Sequence, residues 1–171
     1  MLEGAKQIVV VGGRESGIYP VFARKPERVH LVVRAARDRR LSGGGPMFEA
    51  PSAWPVPGGQ IVEVAPKGIG DKGRMAKVLL KTGTVTVKRP AKGCSKTDPG
   101  TLTLTMVEAI EIDAPEGAKP LLWRLITTLP VCCLEDAMEA VRLYRLRWRI
   151  EQPFRTLKKD GLDPRLHGDK P

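Results

Sequence analysis

The sequence predicts an α/β fold carrying a β-rich excursion. Three observations predict it: a strand–helix–strand pattern in the first forty residues, a Gly- and Pro-punctuated stretch of alternating runs in the middle, and one long helical repeat at the end. Ile8 to Val11, IVVV, is a short β-branched run of the kind that forms a buried strand. A short helix follows, with Pro20 in its first turn, where a missing N–H costs nothing, and Pro26 beyond its end. Val29 to Ala35, VHLVVRA, is the second strand, and this alternation is that of an open α/β sheet.

Residues 41–120 change character. The stretches GGGPM, APSAWPVPGG, APKGIGDKG and DAPEG separate alternating runs at Gln60 to Ala65, Met75 to Lys81, Thr84 to Lys88 and Thr101 to Ile112. This predicts a β-rich insertion, with Gly43 to Gly59 expected to be disordered. Residues 121–171 return to α/β character. LLWRLITT is a strand, and a helix is predicted from Leu134 to Lys159, with Leu134, Ala137, Val141, Trp148, Phe154 and Leu157 at helical intervals. The expected organisation is therefore 1–40, 41–120 and 121–171.

At 171 residues the chain is one domain, or one domain with an insertion. Aromatics are only 5% of the chain, so an aliphatic core is expected. The net charge of +10 favours a polyanionic partner. Between Arg142 and Lys159 the cations Arg142, Arg145, Arg147, Arg149, Arg155, Lys158 and Lys159 face Glu151 alone. A membrane surface ranks below nucleic acid, because this helix lacks a broad apolar face free of charge. The cysteines Cys94, Cys132 and Cys133 have no metal-ligand spacing with His30 or His167, and a reducing cytoplasm is the simplest compartment. No signal segment or long apolar run is present.

Within the final helix Tyr144, Arg147, Glu151 and Lys158 fall on roughly one quarter of the circumference. A carboxylate in a row with a phenol and two cations suits metal-dependent phosphoryl transfer, since the carboxylate holds a divalent cation and the cations hold phosphates. On spacing alone the simpler reading is a solvated basic helix with one incidental Glu.

The pattern Tyr-x-x-Arg-x-x-x-Glu-x-x-x-x-x-x-Lys, with its flanks RWRIEQ and FRTLK, resembles the signature of insertion-sequence transposases that use an Asp-Asp-Glu triad. The resemblance implies a ribonuclease H-like catalytic core with a β insertion before the Glu-bearing helix. Glu151 would be the triad Glu and a metal ligand. Tyr144, Arg147 and Lys158 would grip transposon-end DNA; Arg145 and Arg149 are expected to bind DNA as part of the basic stripe, independently of the resemblance. The resemblance also implies Mg2+ or Mn2+ as cofactor and transposon ends as partner; an intact transposase subunit is the partner expected if the chain acts by interference.

The strand IVVV carries a second, damaged match. Relatives end it with Asp-Arg-Glu-Ala/Ser-Asp-Ile, and here Gly13 replaces the triad Asp before Arg14 and Glu15. The remaining triad Asp is expected on an upstream strand, and this chain begins at Met1. The expectation is one carboxylate present, one replaced and one absent, and hence an inactive copy.

Trp123, in PLLWRLITT, has two readings. One is a half-buried strand aromatic; the other, implied by the resemblance, is a ring that stacks on a flipped base. Arg34 is likewise either a plain strand-terminal arginine or a contact to the DNA end. Pro153 departs from the family pattern and would kink the helix, at about 3 kcal/mol, turning Lys158 out of the row. The reading is a transposase remnant. The alternatives are a DNA-binding module that interferes with an intact transposase, and a small basic protein with an unrelated binding role.

Overall fold

A computed structural model describes residues 7–16, 18–64 and 73–159, with side chains as far as Arg147. The chain is mixed α/β, with six strands in one curled sheet and few helices. β1 (Ile8–Gly12), α1 (Tyr19–Ala23) and β2 (Val29–Arg34) come first, then β3 (Gly58–Val64), β4 (Arg74–Lys88), β5 (Thr101–Ile112), β6 (Leu122–Thr127) and α2 (Leu134–Lys159). The sheet order is β1-β2-β6-β5-β4-β3. Only β1 and β2 run parallel, and α1 lies in the crossover such a pair requires. The other pairings are antiparallel.

The strands of residues 41–120 extend the same sheet that holds β2. β6 joins them, pairing with β2 on one side and β5 on the other. The two runs expected at Met75 to Lys81 and Thr84 to Lys88 form one continuous strand, β4. Gly83 does not break it. The glycine is there for space: a Cβ at Gly83 would lie 2.3 Å from Cε2 of Trp54, so the indole packs flat against the bare backbone.

The disorder expected for Gly43 to Gly59 is corrected. Met47–Ala53 forms a 3-10 turn, and Met47 is fully buried. Its thioether fills space over the sheet beside Val85, Met106 and Ile126. Phe48 N–H donates to Asp38 Oδ1 at 2.8 Å, and Lys81 Nζ donates to the Pro51 carbonyl at 3.0 Å. Composition predicted mobility because the stretch is rich in Gly and Pro; the one methionine that buries itself outweighs it.

Both faces of the sheet are covered. Val32, Val78, Leu80, Val107, Leu125, Ala137, Val141 and Tyr144 pack between the sheet and α2. Leu31 and Val33, pointing the other way as alternation requires, join Tyr19, Phe22 and Met106 beneath α1 and the 3-10 turn. This explains the unbroken apolar run in β2, which has no solvent face. At the start of α2, Asp136 Oδ2 accepts the N–H groups of Cys132 at 2.8 Å and Cys133 at 3.3 Å. These bonds satisfy donors ahead of the first turn and fix where the helix begins. α2 continues through Pro153 to Lys159; the consequence expected for Lys158 lies outside the described side chains. Among the described residues no helix is long and apolar enough to cross a membrane.

Candidate functional site

Because Gly12 pairs with Val33, Gly13 and Arg34 lie at the same end of the sheet, at the carboxyl ends of the two parallel strands. Open α/β sheets hold ligands at such ends. α2 crosses there. An ideal Cβ on Gly13 would stand 3.2 Å from Arg147 Nη1 and 3.5 Å from its Cζ. The position where the resemblance requires a carboxylate is thus occupied by bare backbone, with a guanidinium set against it.

The packing continues inward. The Arg147 guanidinium lies 5.6 Å from the centre of the Tyr144 ring, close enough for a cation–π attraction. Tyr144 meets Trp123 edge-on at 5.4 Å with a 69° interplanar angle. Both rings belong to the core, Trp123 at 6% exposure and Tyr144 at 0%. The Tyr144 hydroxyl is shielded from solvent and has no hydrogen-bond partner among the described residues. The geometry of Trp123 is that of a packed strand aromatic, with its ring engaged by Tyr144.

The other residues expected at the site are more scattered. Arg34 Nη2 donates to the Leu122 carbonyl at 3.1 Å, which ties the end of β2 to the start of β6. Arg145 reaches Glu63 on β3 at 3.6 Å, a loose pair of an exposed kind worth little. Glu15 lies exposed in the 3-10 turn Arg14–Ser16. Glu151 follows Arg147 by one helical turn on the same side of α2. The side chains of Glu151, Arg149 and Lys158 lie outside the described residues.

The described residues do not fit a divalent cation. Gly13 offers no side-chain ligand atom, and the Arg147 guanidinium lies against that position. Among the described residues no three His, Cys, Asp or Glu side chains come together.

Three ion pairs that spacing did not reveal hold the surrounding frame. Arg74 Nη2 meets buried Glu111 Oε2 at 2.6 Å, and the same oxygen accepts Leu121 N–H at 2.7 Å. Arg124 Nε meets buried Glu108 at 2.7 Å, and its guanidinium lies 4.5 Å over the Phe48 ring. Arg24 grips buried Asp98 with two parallel bonds of 2.7 and 2.9 Å. The Arg24 hydrogen bonds hold the Asp98 carboxyl below the usual carboxylate range, assisted by Ser95 N–H. No local pattern marks these pairs, because their partners are 16 to 74 residues apart.

No protein-family model matches the chain.

Proposed function

We propose that this chain is a DNA-binding protein of the insertion-sequence transposase type, built on a ribonuclease H-like core, with a disabled catalytic centre. One observation carries the reading: Gly13 lies against Arg147. The two motifs that resemble the family stand at opposite ends of the sequence, yet the strand end that should bear a carboxylate meets the helix that bears Glu151. In a ribonuclease H-like arrangement those two elements face each other across the reacting phosphate.

The same juxtaposition argues against chemistry. Phosphoryl transfer by two metals needs carboxylates on both sides of the scissile phosphate. Gly13 supplies none, and the Arg147 guanidinium lies against the place that a carboxylate there would occupy. Mg2+ or Mn2+ therefore belongs to the family and not to this site. The cations of α2 would hold the DNA backbone, in a reducing cytoplasm.

Interference with an intact transposase is the second reading. The outer edge of β1 has no strand partner among the described residues, so its backbone N–H and C=O groups are open to another chain.

The test is binding and cleavage on duplex DNA with purified protein. Binding should weaken steeply with salt, and replacing Arg145, Arg147, Arg149 and Lys158 by Ala should lower the slope of log K against log salt by about 0.9 per phosphate no longer neutralised. No nicking should occur with magnesium or manganese. Salt-insensitive binding would sink the DNA reading. Metal-dependent nicking abolished by Glu151→Gln would sink the assignment of a disabled centre.

A further inference from the structure

The fold assembles a second concentration of positive charge, far from Arg147 and built from segments distant in sequence. Leu41 bridges Val87, and Lys88 N–H donates to the Arg40 carbonyl at 3.1 Å, so the segment 37–41 lies along the end of β4. The loop that follows β4 folds back over Arg89. The Arg89 guanidinium donates to the carbonyls of Ser95, Lys96 and Asp98. Arg24 and Ser95 N–H then hold the Asp98 carboxylate from the other side.

This wiring sorts the charges. Of the two acids of these segments, Asp98 is buried under Arg24, while Asp38 is exposed and accepts Phe48 N–H. Arg37, Arg40, Lys88, Lys92 and Lys96 are exposed, and among the described residues none of the five forms an ion pair. Because Arg89 clasps the loop by three carbonyls, Lys92 and Lys96 are presented on a framework already ordered, which lowers the cost of binding.

The position is as informative as the charge. Arg34 is level with Leu125, Val107 and Thr82 across the sheet. From Thr82 to Lys88 at about 3.4 Å per residue is roughly 20 Å, toward the opposite end of the sheet from Gly13. A duplex gains a base pair every 3.4 Å or so, so the separation matches about six base pairs.

We propose that Arg37, Arg40, Lys88, Lys92 and Lys96 form a second binding surface for the phosphate backbone of duplex DNA, separate from the cations of α2. The proposal rests on the reading of the chain as a DNA-binding protein. Charge complementarity selects the occupant: five solvated cations, with Asp98 buried and Asp38 the one exposed acid of these two segments, suit a polyanion with regularly spaced charges, and no aromatic side chain is exposed among them to stack on unpaired bases.

The experiment measures binding to a fluorescein-labelled random-sequence duplex by anisotropy across a range of KCl concentrations. Three proteins are compared with the natural chain: the fivefold alanine variant of these residues, the loop variant Lys92→Glu with Lys96→Glu, and the α2 variant Arg145→Ala with Arg147→Ala. The fivefold variant should lower the salt slope by about 0.9 for each phosphate it ceases to neutralise. The loop variant changes only exposed side chains, so it should melt like the natural chain and bind at least tenfold more weakly. Effects at this surface and at α2 should add in log K, because the two are well separated. If the natural chain binds duplex and both variants of this surface keep its affinity and slope, the second surface is wrong and the DNA reading stands. If the natural chain shows no salt-dependent binding at all, both fall.

Discussion

Arg147 fills the space that a side chain on Gly13 would claim: its Nη1 atom lies 3.2 Å from the ideal Cβ position. The neighbour to be displaced is the tip of a flexible side chain, so a larger residue at position 13 can be accommodated by a shift of a few tenths of an ångström. What matters is its charge.

Gly13→Asp should therefore create an ion pair with Arg147 before it creates a metal site. The introduced carboxylate would have its pKa depressed by the guanidinium. Its stabilisation should be present above about pH 3.9, the ordinary Asp value, and be lost as pH falls through the lower folded value. For a partly exposed pair the gain is at most about 1 kcal/mol, or roughly 2–4 °C in Tm. Thermal melts at pH 7 and pH 3 read it directly, and the gain should vanish in an Arg147→Gln background. Calorimetric titration should show manganese affinity rising in Gly13→Asp with Arg147→Gln above Gly13→Asp alone. Equal affinity in the two would mean that Arg147 does not govern the charge at this strand end.

Asp98 should make stability acid-sensitive. Its carboxyl is held low chiefly by hydrogen bonds from Arg24, with a further bond from Ser95 N–H. A depressed carboxylate stabilises the fold above its unfolded pKa and ceases to do so as pH drops through the folded one. Tm of the natural chain should fall below about pH 4. Asp98→Asn should melt lower at pH 7 and lose less on acidification. Parallel pH profiles for the two would show that Asp98 is not a principal acid-sensitive group.

Tyr144→Phe separates packing from hydrogen bonding. The hydroxyl is buried with no partner among the described residues, so deleting it should change stability by no more than about 1 kcal/mol. Tyr144→Ala would remove the ring that Trp123 packs against, and a loss of about 3–5 kcal/mol is expected. Urea titration gives both values. If Tyr144→Phe proved as damaging as Tyr144→Ala, the hydroxyl would have a partner essential to the fold.

Local periodicity made much of the secondary structure legible. Thr101–Ile112 and Leu134–Lys159 have the limits that alternation and helical spacing predict, and β1 and β2 end within a residue of their apolar runs. What stayed hidden depends on residues that meet only after folding. Gly83 reads as a break until Trp54 is laid against it. Residues 41–120 read as an excursion until β6 pairs with β2. The site was legible in part: Gly13, Tyr144 and Arg147 could be named from motifs, but how they pack together could not. The arginines of RAARDRR could have been found by counting charge along the chain. That they join Lys88 and Lys92 could not, because the joining bond is between Lys88 and Arg40.

The pairing of Val32 with Thr127 sets an order of assembly. β3 to β6 can pair as each strand follows the last, with short loops to close. β2 must wait for a strand that lies most of the chain away, and closing so long a loop is slow. During synthesis at roughly 5–20 residues per second, the apolar run Leu31 to Val33 would have β1 alone as a strand partner, and lack β6, for about 5–20 s. Partial chains arrested before Leu122 should be cut by protease within β2 and spared once β6 has emerged. The stretch of sequence that most plainly announces the fold is thus the one that cells must shelter longest.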